Sequence, residues 1–298
     1  MIITAKSTPN IEIDDKINRG FNNIEIQLVK ERIDNHDYFD SISRGANIVS
    51  VHTPLLDKID VEVNHIFNET YYNMFYDTCI IAQKYAEYYK HDIIVILHNG
   101  LSKSNWIDNY ILIEKLAKMF KEIINIFPNL KFAIENTTPY SNSIASEGTE
   151  VEDAAYVAKQ MNKILNTNKF GVVIDICHLM MTRRYKKACL GGYPELLNLK
   201  SFEDSFKESN GLLFVMHLNN CANMGCKNDH GIPFDESNEE DMKVLQDVIT
   251  QYLKYGNNAI ISLEVREDDY FNCVNVVKTY KALEKTLNKL GYNGKIDK

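Results

Sequence analysis

The sequence predicts an α/β fold: a (β/α)8 TIM barrel, a single domain spanning residues 1–298. Three observations lead there. Eight short apolar, β-branched runs recur along the chain. Most are separated by longer amphipathic segments of helical period rather than by hairpin turns. The length, 298 residues, suits eight such units in one barrel.

The strand-like runs cover residues 2–4, 24–29, 48–51, 93–97, 132–134, 172–174, 212–216 and 260–263. Residues 93–97 read IIVIL, apolar at every position, as a strand covered on both faces requires. The first connection, residues 10–20, is short for a helix. Residues 69–89 place Tyr72, Phe75, Cys79, Ala82 and Ala86 on one helical face. Residues 106–127 do the same with Ile113, Leu116, Met119, Phe120 and Ile123, and Pro128 stops the helix. Further helical segments cover residues 151–166, 239–255 and 273–290. No Gly/Ser linker or low-complexity tract marks a domain boundary. An open doubly wound sheet is the alternative, but no GxGxxG or Walker A sequence accompanies it.

Composition narrows the function classes. With 45% hydrophobic and 25% charged residues the chain is an ordinary globular protein, not a disordered one. A net charge of −8 argues against a nucleic-acid binder that works by bulk positive charge. The six cysteines form no CxxC pair and are too sparse for a disulfide framework. The first six residues lack the basic flank and apolar run of an export signal, which predicts a cytoplasmic location. No apolar stretch is long enough for a membrane span. No obligate protein partner is evident.

In a barrel of this kind the chemistry sits at the C-terminal ends of the strands. The third run ends at His52, the fourth at His98, the fifth at Glu135 and the sixth at Asp175, with His178 three residues on. The seventh ends at His217 and the eighth at Glu264; the loop after the seventh holds Asn228, Asp229 and His230. Six of the eight runs thus end in an imidazole or a carboxylate. Closing the barrel aims these side chains at one mouth, where unpaired carboxylates would repel one another. Bound divalent cations remove that cost, and mixed nitrogen and oxygen ligands suit zinc, with manganese or cobalt as alternatives. The ligands are too many for one ion, so two or three are expected. Taken one at a time, the same residues read as hydrogen-bonded histidines and salt-bridged carboxylates. Cys177, Cys221 and Cys226 read as packing residues, with a zinc role for Cys226 as the second reading. Arg183 and Arg184 read either as a phosphate contact or as a solvated loop.

The segments IENT (134–137), IDICH (174–178), MHLNN (216–220) and SLEV (262–265) resemble the xylose-isomerase-like TIM-barrel superfamily. That superfamily includes AP endonuclease family 2, with endonuclease IV, and many sugar isomerases and epimerases. The resemblance implies a core ligand set of Glu135, Asp175, His217 and Glu264. Histidines at both 52 and 98 resemble the endonuclease IV branch. There, His52, His98 and Glu135 would hold a first zinc, and the core set a second, with Glu135 bridging. His178 and His230, with Asp229 or Asn228 beside them, would hold a third. The residues 24–28, IEIQL, with Glu25, look more like a sugar isomerase.

Two activities follow. One is metal-dependent hydrolysis of a phosphoester, either abasic-site DNA or a smaller molecule, with Glu135 and Glu264 as catalytic residues. The other is single-metal isomerisation or epimerisation of a sugar or sugar phosphate, with the same two glutamates exchanging a proton on opposite faces of the substrate.

Overall fold

The sheet closes on itself because its two ends pair. In the computed structural model the strands are β1 (Ile3–Ser7), β2 (Asn23–Val29), β3 (Asn47–Leu56), β4 (Ile59–Asp60) and β5 (Ile93–His98). They continue with β6 (Leu130–Glu135), β7 (Phe170–Asp175), β8 (Leu213–Leu218) and β9 (Ile260–Leu263). The order is β2-β1-β9-β8-β7-β6-β5-β3, and a further β2–β3 pairing seals the ring. All eight ring pairings are parallel; β4 is antiparallel, a short flap on β3. The structure describes residues 1–8, 12–29, 38–56, 59–60, 62–100, 106–138, 148–192, 199–221 and 230–298.

Each of the eight sequence runs lies on one of the eight barrel strands. The strands extend beyond the runs where polar residues continue the alternation, as at Lys6 and Ser7 in β1 and His52 and Thr53 in β3. The expected helices appear at Glu69–Tyr89, Trp106–Ile126, Val151–Leu165, Glu239–Tyr255 and Val274–Lys289. A short helix, Glu12–Asn18, fills the first connection. Among the described residues, three α-helices lack a sequence counterpart: Tyr38–Ser43, Ile176–Leu190 and Phe202–Glu208. Two are short. The other, ICHLMMTRRYKKACL, carries no clean apolar stripe and starts directly off β7, with Asp175 as its N-cap. Arg183 and Arg184 therefore sit on a helix, not in a solvated loop. The Arg183 guanidinium lies 4.0 Å over the Phe202 ring, and Arg184 donates to the Cys221 carbonyl and sulfur at 3.2 and 3.0 Å.

Two apolar layers hold the barrel. The larger lies between strands and helices and includes Phe75, Phe120, Phe132 and Phe170. Phe120 meets Phe132 edge-on at 5.0 Å, and Phe132 stacks on Phe170 at 5.5 Å. Such pairs each add about 0.5–1.5 kcal/mol beyond area burial. The smaller layer, Val49, Ile94, Ile96, Ala133, Val173, Val215 and Ile260, plugs the barrel interior.

The period of two along a strand carries this inward face up to the mouth. Ile94 and Ile96 lead to His98, Ala133 to Glu135, Val173 to Asp175 and Val215 to His217. Strand β3 follows after a correction. Ile24 pairs with Ile48 but Glu25 pairs with Ser50, so Val49 is an extra residue in a bulge. Were the strand to alternate without this bulge, Val49 inward would turn Ser50 and His52 outward.

Candidate metal centre

Parallel register sets the neighbours at the mouth. His98 pairs with Glu135 across β5–β6, and Asp175 pairs with His217 across β7–β8. All four are buried, as is His52. Two groups of ligand atoms result, each with its atoms within 4.8 Å of one another. One is His52, His98 and Glu135; the other is Glu135, Asp175, His217 and Glu264. Glu135 belongs to both.

Its two oxygens face different partners. Oε2 lies 3.2 Å from His52 Nε2, while Oε1 lies 3.6 Å from His98 Nε2 and 3.3 Å from His217 Nδ1. His217 Nδ1 also lies 2.6 Å from Glu264 Oε2 and 3.7 Å from Asp175 Oδ2. Its other nitrogen, Nε2, lies 3.0 Å from Glu25 Oε1. Ser50 donates to the second Glu25 oxygen at 2.8 Å. Lys6 reaches Glu264 Oε1 at 2.7 Å and Glu25 Oε1 at 3.6 Å.

The electrostatics are those of a crowded anionic pocket. Burial opposes ionisation of Glu135, yet His217 and His98 outweigh it and hold the carboxyl well below the usual range. For Glu264 burial is likewise outweighed, by Lys6 and His217. Burial would lower the His217 pKa, but Glu25, Glu135 and Glu264 drive it well above 6.5. Lys6 is pushed up in the same way, burial being overcome by Glu264, Glu25 and Glu135. Positive charge is what the pocket demands, and a protonated His217 supplies part of it.

Close approach is not the same as hydrogen bonding here. Despite these short distances, both ring nitrogens of His217, Glu25 Oε1 and Glu264 Oε2 satisfy no hydrogen-bond geometry. Buried polar atoms left this way cost free energy. A divalent cation drawing on Glu135, Asp175, His217 and Glu264 would satisfy the inward-facing ones. The donor set of carboxylates and imidazoles fits such an ion.

The remaining sequence candidates sit alongside. His178 Nδ1 lies 3.4 Å from Glu135 Oε1 and 2.6 Å from the Asn136 carbonyl. His178 Nε2 lies 2.9 Å from His230 Nε2. Asp229, Asn228 and Cys226 lie outside the described residues. Asp175 also has a structural duty: Oδ1 accepts from the His178 amide at 2.7 Å, and Oδ2 accepts from Asn219 at 2.9 Å. Lys6 and the role of Glu25 were not legible from strand ends. The inward parity of β1 and β2 is the signal that finds them, since Thr4, Lys6 and Glu25 alternate with buried Ile3, Ala5, Ile24 and Ile26.

A cavity of about 250 Å³ opens beside the cluster, lined by Lys6, Gln27, His230, Glu264, Arg266 and Tyr270 among others. None of the described helices is long and apolar enough to cross a membrane.

No family model matches the chain, and no curated protein matches it. Solved structures do match. A D-tagatose 3-epimerase-like protein aligns at 16% identity and TM-score 0.56, covering 97% of this chain and 98% of its own. The IOLI protein with a bound zinc atom aligns at 13% identity and TM-score 0.58, covering 97% of each chain. Endonuclease IV from Thermus thermophilus aligns at 13% identity and TM-score 0.53, covering 95% of this chain and 99% of its own. At such identities the likeness shows the fold alone, a (β/α)8 TIM barrel. An epimerase-like protein and an endonuclease are both among the matches.

Proposed function

We propose that the chain, taken as one barrel over residues 1–298, is a metal-dependent phosphoester hydrolase. The observation that carries this reading is the sharing of Glu135 between two ligand groups. A single ion needs only the core group, whereas His52 and His98 give Glu135 a second set of neighbouring ligand atoms. Divalent ions, when bound, would neutralise phosphate oxygens and make water a better nucleophile. Glu135, which belongs to both ligand groups, would help hold an ion in each. Glu264 keeps one oxygen on Lys6 and turns the other inward, so it can hold the attacking water in line. Lys6 and Arg266, which line the adjacent cavity, give an anionic substrate its counter-charge. The substrate is an abasic-site DNA strand or a smaller phosphoester.

The test is hydrolysis of an abasic-site duplex and of a small phosphodiester by the zinc-loaded protein. Cleavage is expected of at least one, lost on chelation and in His98→Ala. Zinc-loaded protein that leaves both intact contradicts the reading.

The cavity favours a second reading. Its volume suits a monosaccharide better than a DNA backbone, and the net charge of −8 does not attract DNA. In that case Glu135 and Glu264 would take and return a proton at adjacent sugar carbons, one from each face. His52 and His98 would then bind hydroxyls, and His98→Ala would raise KM without changing the metal content.

A further inference from the structure

Two buried thiols meet beside the metal centre, and the proposed chemistry uses neither. Parallel register pairs Asp175 with His217 across β7–β8. Cys177 stands two residues past Asp175, and Cys221 four past His217. The Cys177 amide donates to the Asn219 side chain at 3.0 Å, which draws the two backbones together. The Cys177 thiol hydrogen-bonds with Cys221, and its sulfur lies 3.7 Å from Met181 Sδ. Both cysteines are free.

The two sulfurs are not equivalent. Arg184 donates to Cys221 Sγ at 3.0 Å and to the Cys221 carbonyl at 3.2 Å. A guanidinium against a sulfur stabilises the thiolate, which is the reactive form. Cys221 is also the less enclosed, 3% exposed against 0% for Cys177. The contact with Cys221, together with burial, pushes the Cys177 thiol up, so Cys177 keeps its proton.

We propose that Cys221 and Cys177 form a redox modification site, which hydrogen peroxide closes into a reversible disulfide. The Cys221 sulfur attacks a peroxide oxygen and the O–O bond breaks. The departing hydroxide takes up the Cys221 proton as water, leaving a sulfenic acid on Cys221. The Cys177 sulfur then attacks the Cys221 sulfur. An S–S bond forms, the S–O bond breaks, and the Cys177 proton leaves with the hydroxyl as a second water. Cys221 is thereby oxidised first, and Cys177 resolves it. The link acts on the metal centre through Asp175. Asp175 Oδ1 accepts from the amide of His178, the residue after Cys177, and Oδ2 accepts from Asn219, two before Cys221. Drawing the sulfurs to about 2 Å pulls on both attachments. Asp175 then shifts against Glu135, His217 and Glu264, and the linked form holds an ion there more weakly. That effect rests on the reading of the mouth as a metal centre.

Purified protein, stripped of metal and treated with hydrogen peroxide, tests the proposal by non-reducing peptide mapping and by zinc affinity against a chelating indicator. The expected result is a peptide pair joining Cys177 to Cys221, lighter by two hydrogens and separated by dithiothreitol. Zinc affinity should fall about tenfold or more in the linked form and return on reduction. Cys189→Ser and Cys226→Ser should keep the link, and Cys221→Ser should lose both the link and the response of zinc affinity to peroxide. Because Cys221 is buried, Arg184→Gln is the second variant: it retains both thiols and should form the link more slowly. Absence of the link in wild type overturns the proposal, as does a link that leaves zinc affinity unchanged or that forms at the wild-type rate in Arg184→Gln. A fall in affinity that dithiothreitol does not reverse assigns the effect to Met181 oxidation and also overturns it. Reduced protein that binds zinc but cleaves neither phosphoester sinks the hydrolase reading and leaves the thiol pair standing. Reduced protein that cleaves but never forms the link does the reverse.

Discussion

The barrel interior has two storeys built on the same strands with the same inward parity. The lower storey is apolar: Ile96, Ala133, Val173 and Val215. Two residues further along each strand stand His98, Glu135, Asp175 and His217. Below, apolar burial stabilises the fold. Above, charges are packed so tightly that several buried nitrogens and oxygens lack a hydrogen bond. The lower storey explains how the protein tolerates the upper: a rigid plug holds carboxylates together that would otherwise separate. Stability and chemistry are thus divided by one step of the pleat.

The sharpest way to break this comparison is at the shared carboxylate. Glu135→Ala removes an oxygen donor from both metal groups, so metal content and activity should be lost together, read by elemental analysis and the cleavage assay. The apo protein should still fold, because the apolar storey below is untouched, at the cost of the attraction between Glu135 and His217. Severe unfolding of Glu135→Ala would show that the upper storey supports the fold after all.

Ile96→Ala is the mirror experiment. A fully buried plug residue truncated to alanine should cost about 2–5 kcal/mol in denaturant unfolding. Metal content below the melting temperature should stay near that of the wild type. A loss of metal without a loss of stability would erase the division between storeys.

Much of this was legible in the sequence, and the misses have physical causes. The eight runs coincide with the eight barrel strands because a parallel sheet covered on both faces needs near-continuous apolar residues. The strand-end rule located His52, His98, Glu135, Asp175, His217 and Glu264, which the structure draws together. Lys6 was missed because β1 runs three residues past its apolar stretch. The bulge at Val49 was also illegible, since a one-residue register shift leaves no compositional trace. The Ile176–Leu190 helix escaped because its apolar positions are scattered and its start is set by Asp175, a residue read only as a ligand.

A smaller effect is expected behind the ligands. Glu25→Gln keeps the volume but weakens the carboxylate behind His217 Nε2. Altering an outer partner of this kind typically costs about 10–100-fold in metal affinity. Competition with a chelating indicator measures it, and wild-type affinity in this variant would assign Glu25 to Lys6 alone.

The mildest effect is one of pH. In metal-free protein the His217 pKa stands above 6.5, raised by its carboxylates against the opposing effect of burial. A raised folded-state pKa contributes stability that is complete below the unfolded value and disappears as pH rises through the folded one. A bound metal would replace that proton. The Tm difference between metal-loaded and chelated protein should therefore widen as pH rises from about 6 to about 9 in thermal melts. A gap that narrows over that range would mean His217 is not the group the metal displaces a proton from.

The central claim is that Glu135 joins two ligand groups, so the mouth holds more than one ion. Elemental analysis of the purified protein tests it most directly. The account predicts more than one divalent ion per chain, falling by one in His98→Ala. One ion per chain, unchanged by that substitution, would contradict it.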